Sequence, residues 1–428
     1  MWPTNEASPQ SLYEKAWSTA ADNLFDIKSM GLWSRWRHRF DRSMQTTDDA
    51  VQRANEMLAS IGDAYTRVLS RAEVDAEWQA GLGNIFGIGV APAFRRNNDG
   101  RPMLDAHLSP LSELDVHGHP VLAEVVPGGP AHAAGLKPGD AIATADGVEV
   151  DSKLRLSHYL SGPDKSTVKL TVCRKGSEFE VTIVRGQLAR PIVTVQMLDK
   201  GVGYLRLDDF MQRNGIRLFM DGLLELKAAR ALIVDLRRNP GGYSSQAVEL
   251  ASLFVKQGPI VVSKSRISGT KLLARFETMK VSLTEDTQVT ETKTDGYFAY
   301  GAKTEVDRTP RVPYMADGRP VVVLVDRDSA SSSEMAASAM QFHGCILLGD
   351  QTFGKGIGQI EENLLNGTRM VITNNRYYTA DGRWLGDAQK RAYGLTPNVS
   401  VRAKTRYHQL LDDNDNQVQA AVEFLTKA

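Results

Sequence analysis

The sequence lacks the cysteine and histidine patterns that mark disulfide-bonded and metal-binding proteins. Only two cysteines occur, Cys173 and Cys345, in separate strand-like segments, and the eight histidines form no H-E-x-x-H motif. The pair His117 and His119 falls in a predicted loop. These absences predict no disulfide framework, and they argue against a structural or catalytic metal.

Long apolar runs are also absent. No run reaches the roughly 18–20 residues that a bilayer requires. The first residues, MWPTNEASPQSLYEKAW, do not place an apolar core after a basic segment, as a secretory signal does. From the sequence as written we expect a cytoplasmic chain without a membrane span.

Neither sign of charge is in excess. Lysine plus arginine and aspartate plus glutamate each number 51, so no overall charge favours nucleic acid or an anionic membrane as a partner. One local group of arginines is interleaved with aromatic residues at helical spacing: Arg35, Arg37, Arg39 and Arg42, with Trp33, Trp36 and Phe40. This pattern favours a helix with a solvated basic edge, and a nucleic-acid site is the alternative.

The composition divides the chain into four regions. Residues 1–80 are predicted to be helical, and residues 81–190 are rich in strands and turns. Residues 191–402 alternate apolar strands with helices, which predicts an α/β fold with a largely parallel sheet. Residues 403–428 end in one amphipathic helix. Within the third region, residues 264–318 are polar and predicted to be irregular, as an insertion or flexible flap.

Four serines lie within five positions in DRDSASSSEM, residues 326–335. They follow an apolar strand and precede an alanine-rich helix. Ser331 and Glu334 fit a capping box, S-x-x-E, which is a purely structural explanation. A serine hydroxyl there would also lie at the positive end of a helix dipole, where a developing oxyanion is stabilised.

Lys355 lies between two glycines in TFGKGIGQ, residues 352–359. A loop lysine is ordinarily a surface residue, but this one follows an apolar strand, where partial burial is plausible. At an ordinary pKa only about one lysine in a thousand is neutral at pH 7.5, and burial that lowers the pKa to roughly 7.5 would allow the lysine to act as a base for serine. No G-x-S-x-G motif is present, and His343 after the serine-rich helix leaves a Ser–His pair open.

Two glycine-rich stretches complete the candidate motifs. GIGV, Gly87–Val90, could turn backbone N–H groups onto the terminal carboxylate of a peptide while the adjoining strand edge pairs with it, although a tight turn is the simpler interpretation. DLRRNPGG, Asp235–Gly242, is a turn after a strand. Its glycines would also let backbone amides approach a reacting oxygen.

Together these motifs resemble the carboxyl-terminal processing peptidases, also called tail-specific proteases. The matching stretches run in family order from residue 10 almost to the end: NEMLASIGDAYTRVLS, FGIGV, AGLKPGD, GVGYLRL, LIVDLRRNPGG, VVVLVDRDSASSSEMAASAM, GDQTFGKGIGQ, RYYTADGRWL and GLTPNVSV. The resemblance implies an α/β fold with a crotonase/ClpP-like serine protease core. It also implies an inserted PDZ domain at residues 81–190 and helical parts at both ends that could mediate dimerisation.

The resemblance further implies roles for single residues. Ser331 would be the nucleophile, Lys355 the base, and Gln359 the residue that orients the lysine. The oxyanion hole would consist of the N–H of Ser332 and that of Gly241 or Gly242. The peptide-binding residues of the PDZ domain would be Gly87, Ile88, Gly89, Val90, Leu156 and Leu160.

The sequence departs from the family pattern in three respects. Ser332 stands where the family usually has alanine, which makes it a rival nucleophile. The segment between Glu334 and Lys355 is one residue shorter than the commoner spacing. The family is mostly exported, whereas this sequence shows no export signal.

The function that the resemblance implies is a serine endopeptidase that needs no cofactor. Its PDZ domain would capture the free C-terminal tails of protein or peptide substrates for cleavage by the Ser–Lys pair. Three other functions are compatible with the motifs: a catalytically silent PDZ adaptor, a binding protein for small hydrophobic ligands, and an acyl-CoA enzyme. A homodimer or higher oligomer is compatible with the helical ends.

Overall fold

The chain forms two compact units. The computed structural model describes residues 7–81, 86–95, 103, 111–150, 160, 162–188, 191–267, 276–284, 288–296, 304–310, 312–388, 391, 393–404, 411 and 415–427. The large unit comprises residues 1–78, 192–402 and 416–428, and the small unit comprises residues 79–191 and 403–415.

The helices are distributed over both units. In chain order they are α1 (Pro9–Asn23), α2 (Thr47–Ala59), α3 (Arg71–Gly81), α4 (Pro130–Ala133), α5 (Gly215–Glu225), α6 (Ser244–Phe254), α7 (Ser332–Phe342) and α8 (Asn416–Lys427). Short 3-10 turns occur at Ile27–Met30, Trp33–Trp36 and Asp199–Gly201. Among the described helices, none is long and apolar enough to span a membrane.

The strands of the first half of the chain are mostly short. They are β1 (Arg67–Leu69), β2 (Phe86–Gly87), β3 (Val90–Pro92), β4 (Leu122–Val125), β5 (Ala141–Ala145), β6 (Val148–Glu149), β7 (Thr167–Arg174), β8 (Ser177–Val184) and β9 (Gly186–Gln187). The later strands are β10 (Val193–Met197), β11 (Val202–Leu207), β12 (Ala231–Asp235), β13 (Gly258–Arg266), β14 (Phe276–Leu283), β15 (Gln288–Gly296), β16 (Thr304–Pro310), β17 (Val321–Val325), β18 (Ile346–Gly349), β19 (Ile357–Asn363), β20 (Arg369–Tyr378) and β21 (Val399–Ser400).

A largely parallel sheet forms the centre of the large unit, as predicted. Its strand order is β10-β11-β12-β17-β18-β21, and every neighbouring pair is parallel except β10 with β11. The strands β12 and β17 are buried at every position, which explains their continuous apolar runs. Apolar residues of α5, α6 and α7 complete the core. The sheet therefore fixes the ends of β12 and β17, where the NPGG turn and the serine-rich turn begin.

A second, antiparallel sheet in the large unit corrects one prediction. Residues 264–318 were expected to be irregular, but β14, β15 and β16 within them pair successively and extend β13. The segment as a whole is polar, which conceals the alternation of Met279, Val281 and Leu283 in β14, where Val281 and Leu283 are buried. Its threonines and valines are β-branched, and such residues favour extended backbone even where the composition is polar.

The chain termini pack on the two sheets of the large unit. Apolar residues of α1 and α2 cluster with Met370 and Ile372 of β20. In α8, the Oε1 atom of Gln417 accepts a hydrogen bond of 2.9 Å from the buried Arg237. Arg237 in turn forms a fully buried ion pair with Asp235 at the end of β12.

The arginine-rich stretch of the N-terminal region differs from its prediction. It contains the 3-10 turn Trp33–Trp36 and not a longer helix. The guanidinium carbon of Arg37 lies 5.1 Å from the ring centroid of Trp17, and that of Arg39 lies 4.4 Å from the ring centroid of Trp36. These arginines therefore stack on aromatic rings of their own chain.

The small unit is built from short antiparallel strands. Its main sheet has the order β6-β5-β7-β8, and β2 with β9 and β3 with β4 form two further pairs. The hairpin predicted around Lys175 and Gly176 is confirmed, since β7 and β8 pair on either side of it. Both turn residues have positive φ, 51° and 82°, which suits the tight turns that follow the twist of a hairpin.

Candidate active site

Ser331 lies on a strained turn between β17 and α7. It is the N-cap residue of α7, and its φ of 57° and ψ of −118° are unusual for a residue with a side chain. Such strain persists only where the surrounding structure holds it, and it is often associated with functional sites. Sharp strand-to-helix turns expose the nucleophile in α/β-hydrolases, although the G-x-S-x-G motif of those enzymes is absent here.

The three neighbouring serines anchor this turn. Each of their hydroxyls donates to a backbone carbonyl of the segment after β12: Ser329 to Leu236 at 2.8 Å, Ser332 to Gly242 at 2.7 Å, and Ser333 to Asn239 at 2.8 Å. All three are buried, whereas Ser331 retains partial exposure. Ser332 is only 2% exposed and its proton is engaged, so the geometry disfavours it as a rival nucleophile.

Glu334 joins the serine turn to the lysine loop. One carboxylate oxygen, Oε2, accepts the backbone N–H of Ser331 at 3.0 Å and that of Lys355 at 2.8 Å. The other, Oε1, accepts the N–H of Gly354 at 2.8 Å and the hydroxyl of Thr352 at 2.5 Å. Burial raises the pKa of Glu334, while these hydrogen bonds lower it. The net pKa of Glu334 is raised, because burial outweighs the four donors, although each donor favours the ionised form.

The side chain of Lys355 is mostly buried beside the segment before β1. Its Nζ lies 4.1 Å from the ring centroid of Tyr65. Burial lowers the pKa of Lys355 from 10.5 to about 8. The carboxylates of Asp63 and Glu334 oppose this shift, and Arg67 supports it. Within the described residues, Nζ makes no hydrogen bond to Ser331, and its measured contact is with the ring of Tyr65.

Tyr377 provides a second link between the two loops. Its hydroxyl lies 2.9 Å from the backbone carbonyl oxygen of Ser331 and also within hydrogen-bonding distance of the carbonyl oxygen of Lys355. Burial raises the pKa of Tyr377 well above its usual value, so the hydroxyl keeps its proton and acts as the donor.

The NPGG turn lies directly against Ser331. A Cβ atom on Gly241 would come within 2.8 Å of both the Cβ of Ser331 and the backbone nitrogen of Ser332, so only glycine allows this approach. The N–H of Gly241 donates to the side chain of Asn239 at 2.9 Å. By contrast, the N–H groups of Gly242 and Ser332 have no acceptor within the described part of the chain. Of the two glycines predicted for the oxyanion hole, Gly242 therefore has the available donor.

His343 is too distant to act as the base for Ser331. The two residues flank α7 at opposite ends, and a helix of this length spans about 16 Å at 1.5 Å per residue. The Nε2 atom of His343 also lies 2.9 Å from the carbonyl oxygen of Pro259. The Ser–His alternative is therefore wrong.

Sequence profiles and solved structures show what this chain is related to. The profile of peptidase family S41 matches residues 201–401, and that of the PDZ domain matches residues 89–184. The chain therefore carries a peptidase family S41 domain and a PDZ domain. This confirms the resemblance to carboxyl-terminal processing peptidases.

Relatives of this chain are named as carboxyl-terminal-processing proteases or peptidases. It is 28% identical to the carboxyl-terminal-processing protease of Picosynechococcus sp. over 98% of its own length and 89% of the relative. It is 29% identical to carboxyl-terminal-processing peptidase 1, chloroplastic, of Arabidopsis thaliana, over 86% of its own length and 68% of the relative. A solved photosystem II D1 C-terminal processing protease has a TM-score of 0.60 at 23% identity, covering 92% of this chain and 94% of that one, which indicates a shared fold.

Among the described residues, Gln359 of the S41 domain makes no hydrogen bond to the lysine side chain. It lies in β19, where its amide Nε2 donates to the hydroxyl of Thr373 at 3.1 Å. The backbone N–H of Thr373 donates to Thr66, whose hydroxyl donates to Asp63. Gln359 thus joins a chain of hydrogen bonds that ends at a carboxylate near Lys355.

The glycine loop of the PDZ domain leaves two backbone donors available. The carbonyl oxygens of Ile88 and Gly89 accept hydrogen bonds of 2.8 Å from Ala131 and Val126. Their own N–H groups have no acceptor among the described residues. Gly89 has a φ of 79°, a left-handed conformation that glycine adopts without strain.

The apolar side chains predicted to line the peptide pocket are largely buried. Ile88 and Leu160 are 2% and 4% exposed and belong to the core of the small unit. Val90 begins β3 and is half-buried, and Gly87 ends β2. Leu156 lies outside the described residues. The structure therefore offers the backbone of the loop more directly than an open apolar pocket.

Sequence reasoning missed the residues that hold the site together. Glu334 was interpreted only as part of a capping box, and neither Tyr377 nor Tyr65 was singled out. The stretches containing both tyrosines had been matched to the family pattern, but a motif does not say which side chain points at which loop. Only the register of β20 against β19 and β13 brings Tyr377 to the two loops.

Proposed function

We propose that this S41 protein is a serine endopeptidase in which Ser331 is the nucleophile and Lys355 the general base. The observation that carries the proposal is the Glu334 carboxylate, which accepts the backbone N–H of both residues. A single buried anchor common to the strained serine and the lysine loop is expected where two loops must keep one geometry.

In the proposed reaction the Ser331 hydroxyl oxygen attacks the scissile carbonyl carbon. Neutral Lys355 takes the hydroxyl proton and passes it to the leaving amine as the peptide bond breaks. Water then hydrolyses the resulting ester, which restores the serine. With a pKa of about 8, about a quarter of the lysine is neutral at pH 7.5, compared with about one in a thousand at the ordinary value.

The tetrahedral oxyanion would be stabilised by the N–H groups of Gly242 and Ser332. Both donors are available, and Ser332 lies at the N-terminus of α7, where the helix dipole favours negative charge. Gly241 would serve a different purpose, because its missing side chain allows the NPGG turn to pack directly against Ser331.

The proposed base must move before it can act. Catalysis requires the neutral amino group of Lys355 to leave the face of Tyr65 and reach the hydroxyl of Ser331. The flexible four-carbon stem of lysine permits this, and catalytic contacts often tighten only when substrate is bound. Gln359 would orient the lysine through its Oε1 atom, since its Nε2 atom already donates to Thr373.

The PDZ domain would select substrates by their free C-terminal tails. The available N–H groups of Ile88 and Gly89 could bind the terminal carboxylate, and the edge of the adjoining strand could pair with the tail. We also propose the finer fold assignment implied by the family, a crotonase/ClpP-like core, and a homodimer or higher oligomer as the assembly.

A second candidate function is a catalytically silent PDZ adaptor on the same fold. The observation that favours it is the contact of Lys355 with Tyr65, where the lysine makes no hydrogen bond to Ser331. The two functions differ in whether the serine is reactive.

The deciding experiment compares wild-type protein with Ser331→Ala and Ser332→Ala variants on an unfolded protein that ends in apolar residues. The proposal expects Ser331→Ala to lose at least about a thousandfold in cleavage rate, with Ser332→Ala keeping measurable activity. A serine-reactive fluorophosphonate should label wild type at Ser331. If the wild type shows no cleavage and no labelling, the result favours the adaptor. If Ser332→Ala is inactive and Ser331→Ala is active, the nucleophile is Ser332.

A further inference from the structure

A second cluster of reactive side chains lies in the PDZ domain, among residues that the proposed protease chemistry does not use. Its first two members are Asp115 and His119, at the two ends of one tight turn. The Oδ1 atom of Asp115 accepts the backbone N–H groups of His117 and His119, each at 2.9 Å. The backbone N–H of Asp115 donates to the carbonyl of His119 at 2.9 Å. These bonds leave the second carboxylate oxygen, Oδ2, directed at the Nδ1 atom of His119, 3.5 Å away.

The other two members come from the hairpin of β7 and β8. Cys173 and Glu178 are cross-strand partners, directly opposite each other. The Sγ atom of Cys173 lies 3.5 Å from the Oε1 atom of Glu178 and 3.5 Å from the Nδ1 atom of His119. The turn and the hairpin are more than fifty residues apart in sequence, so the fold alone brings these groups together.

Three separations within this cluster match those between neighbouring ligands of one tetrahedral metal ion. Around Zn²⁺, bonds of about 2.0–2.1 Å to nitrogen or oxygen and about 2.3 Å to sulfur place neighbouring ligand atoms about 3.3–3.6 Å apart. The three measured separations are each 3.5 Å. The ligand atoms of Asp115, His119 and Cys173 all lie within 4.8 Å of one another.

The donor types favour one class of cation. A thiolate and an imidazole are ligands that bind Zn²⁺ well, whereas Mg²⁺ and Ca²⁺ prefer sites made of oxygen atoms. Cys173 is 6% exposed and the side chains of His119 and Asp115 are 16% and 19% exposed. The cluster is therefore partly shielded and held by backbone hydrogen bonds, and such outer contacts orient metal ligands in known sites.

We propose that Asp115, His119 and Cys173 bind a Zn²⁺ ion in the PDZ domain, with water completing the tetrahedron. The ion would be structural, because none of its three protein ligands belongs to the proposed protease chemistry. It would connect the turn at residues 115–119 to the hairpin and stabilise the domain without taking part in peptide hydrolysis. The sequence expectation of no metal is thereby revised, because no short motif contains these residues.

The experiment uses the untagged full-length protein, treated with a chelator and titrated with Co²⁺ as a spectroscopic substitute for Zn²⁺. The proposal expects one equivalent to bind with the visible bands of tetrahedral Co²⁺ and a sulfur-to-cobalt charge-transfer band, both removed by Zn²⁺. Cys173→Ser should abolish the charge-transfer band and weaken binding at least about a hundredfold. The matched control is Cys345→Ser, which alters the other free cysteine and should bind like the wild type.

Folding is checked separately, by circular dichroism and thermal unfolding of each variant in chelator. Zn²⁺ should raise the unfolding temperature of the wild type and of Cys345→Ser but not that of Cys173→Ser or His119→Gln. Should Cys173→Ser fail to fold, His119→Gln provides the same test through affinity and the visible bands. Absence of the charge-transfer band in the wild type, or equal Co²⁺ affinity in wild type and Cys173→Ser, would overturn the proposal and leave a hydrogen-bonded cluster.

Discussion

The serine site of the large unit and the glycine loop of the PDZ domain are stabilised by different kinds of hydrogen bond. Around Ser331, buried serines and Glu334 hold several backbone groups through side-chain hydrogen bonds. In the glycine loop the hydrogen bonds are between backbone groups, and the N–H groups of Ile88 and Gly89 remain available. A reaction needs fixed geometry, whereas capture of an extended peptide needs donors that the domain has not used itself.

The largest expected effect concerns Lys355. Replacement by alanine should reduce the cleavage rate at least about a thousandfold with the fold retained, because the proposed nucleophile and base would act as one unit. In the wild type, kcat/KM should rise with pH through about 8, since only the neutral lysine accepts a proton and the protonated form predominates below its pKa. Initial rates between pH 6 and 10 measure this. The control His343→Gln should keep the same profile, and loss of the rising limb in that variant would contradict a lysine base.

Glu334 should have the next largest effect. The glutamine of Glu334→Gln has one acceptor oxygen, whereas the carboxylate has two, so two of the four donors lose their acceptor. We therefore expect kcat to fall about a hundredfold. The carboxylate also raises the pKa of Lys355, so its removal should shift the rising limb of the profile to lower pH. The exposed Glu361 offers a matched control, Glu361→Gln, with normal rate and profile. A fall in rate without any shift would mean that Glu334 acts only through packing.

Lys355 and Glu334 show how much of the site could be predicted from the sequence. Ser331 and Lys355 were identified because the helix start and the F-G-K-G loop are local patterns. Glu334 carried only a capping-box signal, which describes its bond to Ser331 but not those to Thr352, Gly354 and Lys355. Contacts across twenty residues depend on the path of the chain after β18, and no local pattern encodes that path.

The fold, too, could be predicted only in part from the sequence. The parallel strands were predicted because burial on both faces gives apolar runs such as Val321–Val325. The strands β15 and β16 were missed because their sequence is polar, and β14 because its alternating Met279, Val281 and Leu283 stand in a polar segment. Similarly, the proximity of Cys173 to His119 follows from the packing of the turn at residues 115–119 on β7, which neither residue signals alone.

Tail recognition should have a smaller effect than loss of a catalytic group. Matched unfolded substrates ending in Val or Ala should be cleaved about ten- to a hundredfold faster than those ending in Asp or in an amide. Burial of one apolar side chain contributes roughly 1.5–3 kcal/mol, and an amide removes the carboxylate charge that the loop would bind. Initial rates at low substrate concentration report the difference. Equal rates for all four tails, and no inhibition by a free peptide ending in Val, would assign tail choice to the protease cleft.

The smallest effect should come from Tyr377→Phe. The change removes one hydroxyl, which donates toward the carbonyl oxygens of Ser331 and Lys355, while the buried ring and its packing stay. Since the hydroxyl contacts the backbone of both loops and not the reacting atoms, it is a positioning residue.

We expect Tyr377→Phe to lower kcat about tenfold, in line with one hydrogen bond of about 1–1.5 kcal/mol, with KM nearly unchanged. The neighbouring Tyr378→Phe is the matched control, because adjacent residues of a strand point to opposite faces. A merely structural tyrosine would lower the unfolding temperature without changing the kcat of the folded enzyme. Equal kcat for the two variants, measured at a temperature where both are folded, would therefore remove Tyr377 from the set of residues that position the serine and the lysine.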